Sequence, residues 1–566
     1  MEEGNQTSRK MHRGIIDCTS QIDGIHVVAA DACDSASPAG WFDPHSSSGS
    51  IVMYLNSNEE AWKNRSRRSK LKLIALPTHT SYTMAASAAA PAPPHPHALI
   101  LPYPAQGHVI PFMELAHRFL DRGFHVTFVN TEFTHGRVMT AADADAGATS
   151  WTGPSSAPGG ARLRLVAVAD GIEGAGDHEN LVLLNAAMPE AIPPQLEPLL
   201  DGTGEEGLGK ATCVVVDVAM SFALDVVKRR GITSAALWPA SAAVLSAMVN
   251  AEKLIRDGVI DDDGAPLNLV NNSFYLTESK APMDATFLAW NYMGNRDAER
   301  LVFHYLATIA QTASTKADYL LCNTFADIEP VIFTDSTPTI IPIGPLRTWQ
   351  RQTRHGPIGH FWHTEDVTCM SFLDAQPIGS VVYVAFGSIS IMTAEQVQEL
   401  ALGLQASGRP FLWVVRPEQA GKLPVGFMDD VDEPRKGKVV GWAPQEQVLG
   451  HSSVGCFVTH CGWNSTLEGI RNGLPMLCWP YFFDQVTNQT YICDIWKVGL
   501  RVAPAEGGVL VTKSRIMELL DGLMEDEGVK ERVLKLKEAA ESNMSEEGAS
   551  LKNLNILMES FKSKTF

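Results

Sequence analysis

Two strand–helix–strand units of the same plan, about 280 residues apart, constrain this chain more than anything else in it. In the first, residues 98–103 (Ala-Leu-Ile-Leu-Pro-Tyr) read as a short buried strand, and a loop containing Gly107 follows. Pro111 stands near the first turn of a helix running to about Asp121, with apolar residues at 112, 115, 116, 119 and 120. Gly123 ends that helix, and residues 124–129 are the next strand. In the second unit, residues 381–386 form a strand, Gly387 and Ser388 a turn, and residues 393–406 a helix. Gly408 closes it, and residues 411–415 are the following strand. Two such starts predict two doubly wound α/β domains.

Length agrees: 566 residues exceed one ordinary core, and two domains of about 200 residues each are expected. Hydrophobic residues at 45% against 19% charged are globular composition. A net charge of −19 argues against a nucleic-acid partner, because phosphate binding needs a basic face. Residues 1–83 hold nine basic and nine acidic residues, so the acidic excess belongs to the rest. Those 83 residues show no sustained period and read as an upstream extension outside the folded protein. The domains are then expected at 95–345 and 367–545, joined by a Gly/Pro/His/Arg-rich linker at 346–366, with a final helical segment at 546–566 packing back on the first domain.

The nine cysteines are odd in number and scattered, several within apolar runs. They read as small buried hydrophobes in a reducing, cytoplasmic setting. Cys456, His460 and Cys461 lack a second ligand pair at suitable spacing, so no metal is expected. No run of 18 apolar residues spans a bilayer, and Met1-Glu2-Glu3-Gly4 does not open a secretory signal. A monomer is expected.

Open α/β sheets bind ligands beyond the carboxyl ends of their strands. In the second domain one strand delivers Trp442-Ala443-Pro444-Gln445, and another delivers His460-Cys461-Gly462-Trp463-Asn464-Ser465. A third delivers the run from Trp479 to Asp484 and Gln485, and the earlier strand delivers Gly387-Ser388. After Ser465 a helix is expected through Arg471, whose free N–H groups and positive dipole end suit a phosphate. Asn464 and Ser465 supply cap-type side chains there, and Gly462 permits close backbone approach. His460 can donate to a phosphate oxygen. Glu468, one turn in, suits the hydroxyls of a ribose, and Trp442 offers a face for a base. Each residue alone also has an ordinary reading as cap, core or loop; their convergence at ordered strand ends does not.

Residues 442–485 resemble the 44-residue donor signature of plant secondary-product UDP-glycosyltransferases almost position for position. The likeness extends over roughly residues 95–560, including Gly107-His108 and Phe386-Gly387-Ser388. It implies a GT-B fold of two facing Rossmann-like domains, with acceptor in the first and UDP-sugar mainly in the second. Carried over by position, Trp442 would stack on uracil, Gln445 would lie near uracil and ribose, and Glu468 would hold the ribose. Ser388, His460, Asn464 and Ser465 would meet the diphosphate, with Trp463 alongside. Asp484 and Gln485 would bind the sugar, glucose being favoured when Gln closes the segment. His108 would be the catalytic base and Asp217 its partner. Family members often carry Trp a few residues after that Asp; this chain has Val218-Ala219-Met220-Ser221-Phe222, with Asp225 as a nearby alternative.

The implied activity is inverting transfer of glucose from UDP-glucose to a hydroxyl or carboxyl of a small secondary metabolite. UDP-sugar is then a co-substrate, and neither cofactor nor metal is needed. A non-catalytic UDP-sugar-binding protein is the alternative, but it would have no use for a His108/Asp217 pair. A nucleotide-dependent oxidoreductase is disfavoured because Pro104-Ala105-Gln106-Gly107-His108-Val109 lacks G-x-G-x-x-G spacing. The upstream stretch yields a first prediction. A chain beginning at Met84 should be soluble and keep full turnover in a UDP-release assay, and loss of most kcat would make residues 1–83 structural.

Overall fold

A computed structural model describes residues 95–563 apart from the loops 146–154, 157–161, 175–177, 179, 204–207, 269–272, 275–282, 335–337, 347–367, 388–391, 432–435 and 505–507. It also describes the strands Ser20–Ile22, Ile25–Ala29 and Ile51–Leu55. Ser388, Met84 and nearly all of the 346–366 linker lie outside the described residues.

The first domain is built on β1 (His97–Leu101), β2 (His125–Thr131), β3 (Ser155–Ser156), β4 (Arg162–Val168), β5 (Cys213–Asp217), β6 (Thr233–Trp238), β7 (Tyr319–Cys322) and β8 (Ile340–Pro342). Their order in the sheet is β8-β7-β6-β5-β1-β2-β4-β3. All pairs are parallel except the short β3–β4 edge. The chain winds outward from β1 through β2 to β4, then returns to lay β5 on the other side of β1. The winding direction therefore reverses between β1 and β5. These central strands are buried along their whole length, which explains why β5 reads Cys-Val-Val-Val-Asp without polar alternation.

The second domain repeats the plan with β9 (Val381–Ala385), β10 (Phe411–Val414), β11 (Gly437–Val440), β12 (Val454–Thr459), β13 (Met476–Cys478) and β14 (Gly499–Arg501). Their order is β11-β10-β9-β12-β13-β14, all parallel. Here the reversal falls between β9 and β12. Both domains are thus open doubly wound sheets, and each has one crevice at its switch point.

The domains are tied together in two ways. Tryptophan indoles of the second domain donate to backbone carbonyls of the first, Trp463 Nε1 to Asn323 at 2.8 Å and Trp496 Nε1 to Ile328 at 2.8 Å. Thr487 Oγ1 donates to the Phe287 carbonyl at 2.6 Å. The helix Ala549–Ser563 crosses back to the first domain, where Leu554, Leu557, Met558 and Phe561 join the core of Ile100, Phe112 and Phe119. Phe561 lies 6.1 Å from the Phe119 ring and 5.9 Å from that of Tyr319. The final segment forms the helix Ala549–Ser563, which follows the helix Glu527–Asn543. The chain turns so tightly between them that a Cβ on Gly548 would sit 2.2 Å from the Asn543 carbonyl oxygen. Residues 1–83 also hold described strands. Three strands there pair into a small sheet of order Ser20–Ile22, Ile25–Ala29, Ile51–Leu55. The β-branched runs Ile25-His26-Val27-Val28 and Ile51-Val52 have the propensity for it although no alternating period announces it.

Among the described residues no helix is long and apolar enough to cross a membrane. Phe561 carries a prediction. It is fully buried across a domain boundary, so Phe561→Ala should cost about 3–5 kcal/mol of stability, read as a lowered denaturation midpoint. An unchanged midpoint would mean that the crossing helix does not hold the domains.

Candidate active site

The first crevice is made by the register of β1 against β5, which pairs Leu101 with Val216. Asp217, the last residue of β5, therefore emerges beside the loop that leaves β1. That loop leads to the helix Gln106–Asp121, and His108 is its third residue. Its Nδ1 lies 2.7 Å from Asp217 Oδ2. The Asp217 side chain is fully buried while His108 stays 26% exposed, so the ring keeps one face on the cleft. Asp217 accepts two further bonds, from the backbone N–H of Ala219 at 2.9 Å and of Tyr103 at 3.4 Å. Its two oxygens thus have three hydrogen-bond partners. In the tautomer that directs Nδ1–H at Asp217, His108 carries its lone pair on Nε2. Asp225, the alternative partner, is instead on the surface, ion-paired to Lys316 at 2.7 Å.

The second crevice lies between β9 and β12. The helix after β12 begins at Trp463, three residues earlier than the sequence reading placed it, and Gly462 is its N-cap with no side-chain cap bond. Asn464 and Ser465 are thus first-turn residues rather than caps, and the first-turn N–H groups stand at the carboxyl end of β12. Their side chains are used otherwise. Asn464 Nδ2 donates to the Gly107 carbonyl at 2.6 Å, reaching the first domain one residue before His108. Ser465 Oγ accepts from Gln445 Nε2 at 3.2 Å. Gln445 also donates to Glu468 Oε2 at 2.6 Å and accepts from the Tyr383 hydroxyl at 3.2 Å. Trp442 stands half-buried just after β11. The Trp463 indole is buried, its N–H spent on Asn323, so only its backbone remains on the cleft side.

His460 fits this crevice because two glycines make room. A Cβ on Gly462 would lie 2.5 Å from its Nε2, and one on Gly387 would lie 2.7 Å away. Burial holds the imidazole down at about 4, so the ring is neutral near pH 7 and carries a single N–H. Its Nδ1 is buried with no partner among the described residues. Asp484 and Gln485 open the helix Asp484–Thr490 beyond β13. Gln485 Oε1 accepts from the backbone N–H of Tyr481 and Phe482 at 2.8 and 3.3 Å, which leaves its amide nitrogen for other use. Asp484 accepts from Asn488 at 2.9 Å. Burial pushes its carboxyl up to about 6, against the pull of Asn488 and of the nearby His108. The backbone at Cys461 and Phe483 adopts φ of +65° and +59°, strained for side chains of this size, and each strained residue adjoins one of these site segments.

Both crevices thus open on one cleft, with a His–Asp pair on one side and a helix N-terminus on the other. Comparison with known proteins agrees. The family model described as UDP-glucoronosyl and UDP-glucosyl transferase matches residues 365–542. UDP-glycosyltransferase 83A1 of Arabidopsis thaliana is 36% identical over 472 residues, 82% of this chain and 97% of the relative. The chain belongs to the UDP-glycosyltransferase family. (R)-mandelonitrile beta-glucosyltransferase of Prunus dulcis is 32% identical over 475 residues, 80% of this chain and 94% of its own length. A solved Medicago truncatula glycosyltransferase complexed with UDP-glucose superimposes with a TM-score of 0.65 at 25% identity, covering 82% of this chain and 98% of that one. The solved neighbours bear out the two-domain GT-B architecture.

Several residues of this glycosyltransferase's cleft were not singled out from sequence. Tyr103 packs against His108 at 5.2 Å, and Trp238 meets the same ring edge-on at 6.4 Å. Both sit at carboxyl ends of strands, a position that could have marked them. A second His–Asp pair joins His178 to buried Asp170 at 2.8 Å, with His178 stacked on Phe133. The glycine cradle carries a prediction. Gly462→Ala should displace His460 and weaken UDP binding about tenfold or more, measured by calorimetry on protein with an unchanged circular dichroism spectrum. Affinity within twofold of wild type would show that His460 does not need its present place.

Proposed function

We propose that the enzyme transfers glucose from UDP-glucose to a hydroxyl or carboxyl of a small secondary metabolite, inverting the anomeric centre. The observation that carries this is the His108–Asp217 pair at 2.7 Å, one residue from the Gly107 carbonyl that the donor-side helix holds through Asn464 at 2.6 Å. Base and leaving-group site are thereby fixed relative to each other.

In this reading Trp442 stacks on uracil, and Gln445 orients Glu468 toward the ribose hydroxyls. The first-turn N–H groups after Gly462 and at Trp463, with His460, Asn464, Ser465 and Ser388, take the diphosphate. Asp484 and the Gln485 amide hold glucose hydroxyls. The names of the Prunus relative and of the Medicago complex support glucose as the sugar. The acceptor O–H gives its proton to His108 Nε2 as its oxygen forms a bond to the anomeric carbon. On the opposite face the bond to the diphosphate oxygen breaks, and UDP leaves with the electron pair. Asp217 stabilises the imidazolium, and the helix N-terminus receives the charge on UDP without need of a metal. The seven described cysteines are unpaired thiols, in keeping with a reducing, cytoplasmic setting.

General-base catalysis contributes about 10²–10⁴-fold, so His108→Ala should lose that much kcat on an alcohol or phenol while UDP affinity stays near normal. Asp217→Asn should lose a similar or smaller factor, and the double change little more than the worse single one, because the pair acts as a unit. Near-wild-type turnover by folded His108→Ala protein would refute the assignment.

A further inference from the structure

Two phenols from distant parts of the first domain converge on one side chain. Tyr103 and Tyr305 both donate to Asn185 Oδ1, at 3.0 and 3.1 Å. Burial raises both phenols above their ordinary range, with the charge of Asp217 adding to the effect on each. They are neutral donors at any working pH, and they fill both lone pairs of the Asn185 carbonyl oxygen. That fixes which way the carboxamide faces. The oxygen is committed inward, so the amide nitrogen points the other way. Asn185 is half-buried, and its nitrogen donates no hydrogen bond among the described residues.

The location gives that nitrogen a purpose. Tyr103 leaves the end of β1 in the same loop as Gly107, its ring lies 5.2 Å from that of His108, and its N–H reaches Asp217. Asn185 is therefore one tyrosine ring away from the His–Asp pair, on the helix Leu181–Asp201. We propose that Asn185, aimed by Tyr103 and Tyr305, is an acceptor-positioning residue whose amide N–H groups bind a second oxygen of the acceptor. The acceptors favoured would carry, beyond the reacting hydroxyl, a carbonyl, ether or hydroxyl oxygen that can accept a hydrogen bond. An oriented amide is selective because its own oxygen is already saturated. It rewards an acceptor oxygen and offers nothing to a donor-only group at that place.

This inference rests on the glycosyl-transfer reading, and its test separates the two. Acceptor alcohols and phenols with and without a second oxygen are screened with UDP-glucose by UDP release. A wild-type enzyme that turns over none refutes the reading itself. Turnover confined to acceptors with a single oxygen overturns the role of Asn185. On the best two-oxygen acceptor, kcat and KM are measured for wild type, Asn185→Leu and Asn185→Asp. Asn185→Asp can still accept from both tyrosines and so preserves the packing, but it has no N–H. Both variants should raise the acceptor KM about fivefold or more, while KM for UDP-glucose stays within twofold. For the analogue with CH2 in place of the second oxygen, wild type and Asn185→Leu should agree within twofold. A smaller rise with Asn185→Asp, or an equal rise for the CH2 analogue, overturns the proposal. Should Asn185→Leu fail to fold, the Asn185→Asp measurement decides.

Discussion

The amide of Asn464 reaches across the cleft to the Gly107 carbonyl at 2.6 Å, and the arrangement of the site depends on that contact. Its two ends belong to the two switch points. Asn464 stands in the first turn of the helix that leaves β12, and Gly107 lies in the first turn of the helix that leaves β1. Each sheet alone has a crevice with free helix N–H groups, which is a generic property of doubly wound folds. The bond holds the two crevices mouth to mouth, with His108 one residue from its acceptor end. In the proposed reaction a base on one domain acts on a donor held by the other, and this requires that the distance be kept. The Trp463 and Trp496 indoles and the crossing helix Ala549–Ser563 hold the same geometry from behind.

Within each crevice the side chains are oriented by partners that do no chemistry. Three donors fix Asp217, and Asp217 in turn fixes His108. Tyr383 and Ser465 settle Gln445, which turns toward Glu468. Two backbone N–H groups fill the Gln485 carbonyl and expose its amide. Two phenols do the same for Asn185. In the last two cases a carboxamide is made directional by saturating its oxygen. Such preorganisation lets a site discriminate without reorganising as the substrate arrives.

Much of this was legible in the sequence, for physical reasons. Buried parallel strands advertise themselves as continuous apolar runs, so the ends of β1 and β9 could be placed within a residue or two. The donor segment is contiguous, so its residues could be read together. The start of the donor helix was misplaced because Ser465 looks like a cap. Gly462 takes that position instead, where a Cβ would collide with His460. What sequence could not show are pairings without local signature. Asn464 meets Gly107 across 357 positions, and Asn185 meets Tyr103 and Tyr305 across 82 and 120. No periodicity encodes such contacts, since they exist only once the sheet order has been set.

The central claim is a single direct displacement, with His108 on one face of the sugar and the diphosphate-binding helix on the other. The anomeric configuration of the product tests it most directly. UDP-glucose is α-linked at the anomeric carbon, and one displacement must deliver a β-glucoside. The proton spectrum of freshly formed product, taken before any mutarotation or hydrolysis, should show the large diaxial coupling of a β-anomeric proton. The small coupling of an α-glucoside would contradict the account, because a single displacement cannot retain the anomeric configuration.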